Sequence, residues 1–224
     1  MRCSIIIPTL NEASVIVNTL RRLHHLDPYE VILADGGSND GTVELAAPHT
    51  TIVRSRAGRG AQLNAGAARA SGDTLLFLHA DVRLPPDALD AIEDALRDPE
   101  VIGGFFRVRF GRTLQEVFIG VIYDLIRFGG RGLVYGDSAI FVRRDLFERL
   151  GGFADWQIME DANLVNRMRR VGKIAALPQT VVPSSRRWRR GGFWRTWASW
   201  WTVQMLYFLP VSPRWLGRFY QHVR

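Results

Sequence analysis

Four short apolar runs, Cys3 to Ile7, Glu30 to Ala34, Thr51 to Val53 and Thr74 to Leu78, are each bounded by turn residues and lie too far apart to close as hairpins. The segments between them read as helix: Ala13 to Leu26 sets Ile16, Leu20 and Leu23 on one face, and Gly60 to Ala70 is rich in alanine. Strand, helix, strand in this order calls for right-handed crossovers and a parallel sheet. The predicted fold class is α/β, a mainly parallel central sheet with flanking helices. Ligands of such sheets bind beyond the carboxyl ends of the strands. The polar clusters Pro8-Thr-Leu-Asn-Glu12, Asp35-Gly-Gly-Ser-Asn-Asp-Gly-Thr42 and His79-Ala-Asp81 each follow a strand immediately, so three strands deliver acids or hydroxyls to one edge.

The pattern continues less regularly. Val101 to Phe110 reads as a strand opening on Gly103-Gly104, Leu114 to Phe128 as a helix, Ser138 to Val142 as a strand, Asp161 to Val171 as a helix and Lys173 to Val182 as a last strand. Gly129-Gly-Arg-Gly132 is a connector suited to closing over a substrate. Beyond Pro183 the composition changes: Ser184-Ser-Arg-Arg-Trp-Arg-Arg-Gly-Gly192 is basic, and Phe193 to Leu209 is aromatic and apolar but interrupted by Arg195, Thr196 and Gln204. That run falls short of the roughly 20 apolar residues that span a bilayer. The expected division is a domain over 1–183 and a basic loop with a helical, aromatic tail over 184–224.

A chain of 224 residues suits one domain with an appendage. The single cysteine, Cys3, allows neither an intrachain disulfide nor a cysteine zinc cage, and reads as a buried strand residue. The opening apolar run is too short for a signal peptide, which leads to an expected cytoplasmic location. The formal charge of +7 is carried by arginine, since Lys173 is the one lysine. Arginine suits phosphate and pyrophosphate partners through bidentate bonds, although biased codon usage gives the same composition. The arginines are scattered rather than arrayed with stacking aromatics, so nucleic acid is not expected as a partner.

An ionised Asp81 at the end of the apolar strand Leu75-Leu-Phe-Leu78 is costly without a compensating cation. A hard dication such as Mn2+ or Mg2+ would answer that, and a cap for a helix over Leu84 to Leu96 is the alternative. Asp35 can accept from a base N–H, and Gly36-Gly37 lets backbone approach a ligand; a plain turn cluster is the other reading. Glu160-Asp161 opens a helix and offers a general base, or it complements the helix N-terminus.

Together these segments resemble family 2 glycosyltransferases over most of the chain up to about Pro183, and among them a small bacterial subgroup carrying His-Ala-Asp in place of the usual Asp-x-Asp. The resemblance implies a nucleotide-diphospho-sugar transferase fold. It implies nucleotide binding by Pro8, Thr9, Asn11, Glu12, Asp35, Gly36, Arg59, Asn64 and Ala80, and metal binding by Asp81, with His79 standing where the first carboxylate would be. It implies Asp161 as catalytic base beside Glu160. Gly104, Asp137, Arg186 and Arg187 fall to the diphosphate or acceptor.

The expected activity is an inverting transfer of sugar from a UDP- or GDP-sugar, with Mn2+ or Mg2+, to an acceptor that the sequence does not identify. Two alternatives stay open. One is a polyprenyl-phosphate sugar transferase at the inner face of the membrane, motivated by the arginines and tryptophans of the tail. The other is a nucleotide-sugar-binding protein without turnover. The tail also suits packing on a second subunit, giving a homodimer.

Overall fold

A computed structural model of the chain describes residues 1–111, 113–128, 134–156 and 158–184, with single helical residues at 198, 201, 202 and 205. The strands are β1 (Cys3–Thr9), β2 (Glu30–Asp35), β3 (Thr51–Arg54), β4 (Thr74–Phe77), β5 (Val82–Arg83), β6 (Val101–Val108), β7 (Ile140–Arg143) and β8 (Lys173–Pro183). The helices are α1 (Ala13–His24), α2 (Thr42–Ala46), α3 (Arg59–Arg69), α4 (Ala88–Leu96), α5 (Leu114–Phe128), α6 (Arg144–Arg149) and α7 (Glu160–Arg169). A short 3-10 turn covers Gly136–Ser138.

The strands form one sheet in the order β3-β2-β1-β4-β7-β6-β8-β5. The β3-β2-β1-β4 half is parallel throughout, as the spacing of the first four runs predicts. The second half is mixed. β7 runs antiparallel to both β4 and β6, β8 is parallel to β6, and the two-residue β5 pairs antiparallel with the end of β8. The chain steps outward from β1 to β2 and β3 and then returns to place β4 on the other flank of β1. That reversal opens a crevice beyond the carboxyl ends of β1, β2 and β4.

Alternation along β1 divides the core. Ile5 and Ile7 pack with Ile16 and Leu20 of α1 on one face, while Ile6 packs with Leu63 and Ala67 of α3 on the other. α3 lies close to the sheet: a methyl group at Gly66 would sit 2.5 Å from Cγ2 of Ile6. Phe77, Phe147 and Phe153 form an aromatic triad under α3, with centroids 4.7 to 5.6 Å apart. Cys3 is buried, as its place in the first apolar run predicts.

The expected strand from Ser138 begins at Ile140 instead, because Gly136–Ser138 is wound and Ala139 is left-handed (φ 49°). α4 starts at Ala88 with Asp87 at its cap position, so Asp81 does not cap this helix. No helix among the described residues is long and apolar enough to cross a membrane. Most of the tail proposed over 184–224, with Arg186 and Arg187, lies outside the described residues.

Candidate active site

The loops after β1 and β2 are joined by a ladder of local bonds. Gly36 donates to the Thr9 carbonyl (2.9 Å), Asn11 N–H to Ser38 Oγ (2.9 Å), and Asn39 N–H to Asn11 Oδ1 (3.0 Å). Glu12 N–H donates to Thr42 Oγ1 (2.8 Å), and Ala13 N–H to Asp40 Oδ2 (3.0 Å). Asn11 takes a left-handed backbone (φ 59°), a conformation asparagine tolerates. Gln62 of α3 reaches beneath both loops and donates through Nε2 to the carbonyls of Thr9 (2.6 Å) and Ala34 (3.0 Å). A side chain at Gly36 would meet the Gln62 amide at 3.0 Å, which accounts for the glycine.

Asp35 is buried at the centre of this arrangement. Its Oδ2 accepts from Gly37 N–H (2.8 Å) and Ser38 N–H (3.0 Å); its Oδ1 accepts from Ser38 Oγ (2.5 Å) and Thr9 Oγ1 (3.4 Å). Burial pushes the carboxyl up, and the donors from Ser38, Gly37 and Thr9 together outweigh it, so Asp35 titrates below the usual aspartate range. A carboxylate has about four acceptor positions. All four are engaged by the protein itself, the Thr9 bond at 3.4 Å being the weakest.

The second half of the site forms where the β4 end, the Gly136 turn and α7 meet. Glu160 and Asp161 open α7 after Met159, which is left-handed (φ 65°). Among the described residues four non-glycine positions have positive φ, and Asn11, Ala139 and Met159 all lie at this edge, the fourth being Asp27. Backbone of this kind clusters at functional sites, where packing holds it in place. Asp161 Oδ2 accepts from Gly136 N–H (2.5 Å) and Oδ1 from Ala162 N–H (2.7 Å). Arg167 steadies the same helix against its preceding loop by donating to the carbonyls of Leu150 (2.6 Å) and Gly152 (2.5 Å).

A methyl group at Gly136 would lie 2.5 Å from Nε2 of His79 and 3.2 Å from Oδ2 of Asp161. His79, two residues past β4, and Asp161, at the start of α7, therefore both close on Gly136 and leave no room there for a methyl group. Asp137, half-buried, occupies the next position of that turn.

Arg59, the first residue of α3, places Nη1 3.4 Å from Oε1 of Glu160, which is fully buried. Glu160 Oε2 has no hydrogen-bond partner among the described residues. Burial pushes the Glu160 carboxyl up to about 7; Arg59 pulls it down and Asp161 raises it further. Burial also raises Asp161, against Arg59 and the Ala162 and Gly136 N–H groups. Two adjacent acids that are reluctant to ionise, beside one arginine, make a unit that shares its protons.

Several of the expected residues also have local structural partners. Asn64 spends its amide on the backbone of Phe153, donating to the carbonyl (2.9 Å) and accepting from the N–H (2.8 Å), and so fastens the 151–156 loop to α3. Gly104 lies inside β6, where a methyl group would strike the Ala175 carbonyl oxygen and lie 2.6 Å from the Phe141 ring. Sheet packing accounts for this glycine. Pro8 is paired with Ala34 within the sheet. Ala80 is buried, with its carbonyl held by Thr19 Oγ1 (2.6 Å), while Asp81 is half-buried with its carbonyl accepting from Ser184 N–H (3.1 Å). Gln62, Ser38 and Arg167 have roles that motif spacing alone does not reveal.

The chain matches the family description "Glycosyl transferase family 2" over residues 4–151. A probable glycosyltransferase of Bacillus subtilis is 26% identical over 89% of this chain and 53% of its own length. An undecaprenyl-phosphate 4-deoxy-4-formamido-L-arabinose transferase of Aeromonas hydrophila is 31% identical over 47% of this chain and 37% of its own. The chain thus spans about half the length, or less, of these two relatives. Among solved structures, glucosyl-3-phosphoglycerate synthase of Mycobacterium tuberculosis, crystallised with Mn2+, uridine diphosphate and phosphoglyceric acid, superposes with a TM-score of 0.66 at 20% identity, covering 94% of this chain and 80% of that one. The same enzyme has been crystallised with Mg2+ and uridine diphosphate, at a TM-score of 0.61 and 20% identity over 85% and 74% of the two chains. A family match covering 148 of 224 residues makes this chain a glycosyltransferase of family 2.

Proposed function

We infer that the chain transfers a sugar, with inversion, from a nucleotide-diphosphate donor to an acceptor hydroxyl, using Asp161 as general base. The observation that carries this reading is the meeting of His79 and Asp161 at Gly136, whose missing side chain lets both approach. In-line displacement needs the leaving diphosphate and the proton acceptor on opposite faces of the anomeric carbon; His79 follows β4 together with the candidate metal ligand Asp81, and Asp161 opens α7. Each Asp161 oxygen accepts one backbone N–H and keeps a second lone pair for an acceptor hydroxyl. Its raised pKa makes it a stronger base than an exposed aspartate.

The joined loops after β1 and β2 form the nucleotide wall, with Thr9, Asn11, Glu12 and Gly36 presented to the base and ribose. Asp35 holds that wall together. A base N–H reaches Asp35 by taking the place of the weak Thr9 contact. Arg59 stands at the mouth with its charge partly committed to Glu160.

Among the described residues no three metal-ligating side chains gather at one point. A Mg2+ or Mn2+ ion bound with a diphosphate needs only one or two protein donors, the rest being phosphate oxygens and water. Asp81, with His79 beside it, meets that requirement. The ion would neutralise charge on the departing diphosphate. The Mn2+ and Mg2+ complexes of the mycobacterial enzyme support this reading.

The test is a thermal-shift panel of UDP, GDP, CDP and ADP, with and without Mn2+, on wild type and Asp81→Ala. One diphosphate should raise the midpoint by mass action only with metal, and Asp81→Ala should abolish the response. No response to any combination would overturn the reading.

A polyprenyl-phosphate acceptor is the second reading, favoured by the names of several relatives. A phosphate oxygen is already anionic, so Asp161 would have no proton to remove. Asp161→Asn should lower turnover by about 10²–10⁴-fold with a hydroxyl acceptor and far less with a phosphate.

A further inference from the structure

The helix α5 is apolar on the outside. Leu114, Val117, Phe118, Val121 and Leu125 recur at helical spacing along one stripe, and all are exposed, Leu114 to 90% and Leu125 to 63%. Of the α5 side chains described, only Ile119 is buried. The helix is nonetheless well started: Thr113 and Glu116 form a reciprocal cap, with Thr113 N–H donating to Glu116 Oε2 (3.1 Å) and Glu116 N–H to Thr113 Oγ1 (3.3 Å). A firmly capped helix that shows its apolar stripe to water needs a covering partner.

The charge around it says which. A groove of about 480 Å³ runs between α5 and the ends of β6 and β8, floored by Phe110, Val117, Val121 and Thr180 and edged by the exposed Arg107 and Arg109. The Glu116 carboxylate on the same groove is committed to the helix cap. Residues 185–224, which continue from the end of β8, hold eight arginines and no acid, whereas the rest of the chain has 21 basic and 22 acidic residues. The whole positive excess of the chain therefore follows β8 in sequence. A second copy paired symmetrically through this face would bring Arg107 and Arg109 against their own counterparts, which opposes such a dimer. An anionic bilayer offers both the acyl boundary for the stripe and phosphates for the arginines, the two signals that stable interfacial binding requires.

We propose that the apolar face of α5, with Arg107 and Arg109 at its edge, docks the enzyme on an anionic membrane surface. This surface is independent of the sugar-transfer reading, although it lies on the carboxyl edge of the sheet that also carries His79 and Asp81.

The test is flotation of the full chain with vesicles of phosphatidylglycerol and phosphatidylcholine, or of phosphatidylcholine alone, at low and high salt. Wild type should float with the anionic vesicles and lose most binding at high salt. Leu114→Glu/Leu125→Glu should lower the bound fraction at least tenfold with an unchanged melting midpoint. Leu114→Glu alone, at the most exposed position, serves if the double variant is unstable, and Arg109→Glu should weaken binding severalfold. Absence of flotation, or equal flotation of wild type and the α5 variants, overturns the proposal. So does a dimer in light scattering that the α5 substitutions dissolve. A nucleotide-diphosphate thermal shift run on the same samples separates the two ideas: a retained shift without flotation sinks the docking surface alone, and flotation without a shift sinks the donor site alone.

Discussion

Replacing Glu160 by glutamine tests the electrostatic logic of the site directly. The glutamate is fully buried, its Oε2 has no hydrogen-bond partner among the described residues, and burial outweighs Arg59 so that the carboxyl is raised from 4.5 to about 7. Below pH 4.5 both folded and unfolded chains carry the proton, and the group does not discriminate between them. Between 4.5 and 7 the folded chain keeps a proton that the unfolded chain has released, so stability falls as pH rises. Above 7 the full difference has been lost, about 3 kcal/mol for this gap. That is a large share of the ~5–15 kcal/mol typical of a domain. Glutamine has nearly the same shape and no proton to lose. Urea unfolding followed by tryptophan fluorescence should therefore give similar stabilities for wild type and Glu160→Gln at pH 4.5, and a variant more stable by about 3 kcal/mol at pH 8. Asp161 titrates in both proteins, so the difference between them isolates Glu160 and its coupling to Asp161. Parallel pH profiles for the two proteins would refute the account of a reluctantly ionised Glu160.

Gly136→Ala pushes a methyl group against His79 and Asp161, and should destabilise by about 1–3 kcal/mol while removing activity, measured by thermal unfolding and donor turnover. Asn64→Ala leaves the Phe153 N–H and carbonyl without partners and should cost about 1–3 kcal/mol, with the nucleotide-diphosphate thermal shift of the folded protein retained. Since burial raises the Asp161 carboxyl, turnover with a hydroxyl acceptor should begin to fall with decreasing pH above the usual aspartate range; a rate that stays flat until that range is reached argues against Asp161 as base.

The parallel half of the sheet was legible because β-branched runs, turn residues and an alanine-rich helix all pointed to the same elements. β1, β2, β3 and β4 fall within two residues of their expected ends. The second half was harder to read for a local reason. Ala139 and Met159 adopt backbone that their side chains disfavour, so neither the start of β7 nor the approach to α7 announces itself by propensity. β5 has only two residues and exists because the end of β8 lies beside it. Motif spacing brought out His79, Asp81, Glu160 and Asp161, but it could not tell Asn64 from a ligand contact, since an amide bound to a loop and an amide bound to a diphosphate look alike in sequence. Gln62 was hidden for the complementary reason: its task is to hold two carbonyls under the loops, and nothing in its neighbours marks that.

The five bonds that join the loops after β1 and β2 make them one wall rather than two flaps. On the proposed reading, in which this wall receives the nucleotide, its being set beforehand leaves little ordering penalty on binding and little freedom to reshape around a different base. Selectivity between a pyrimidine and a purine donor would then be encoded in a few fixed atoms, the Ser38 and Thr9 hydroxyls and the Asp35 carboxylate among them. Exchanging those atoms, rather than loosening the loops, is the route by which such an enzyme would acquire a new donor.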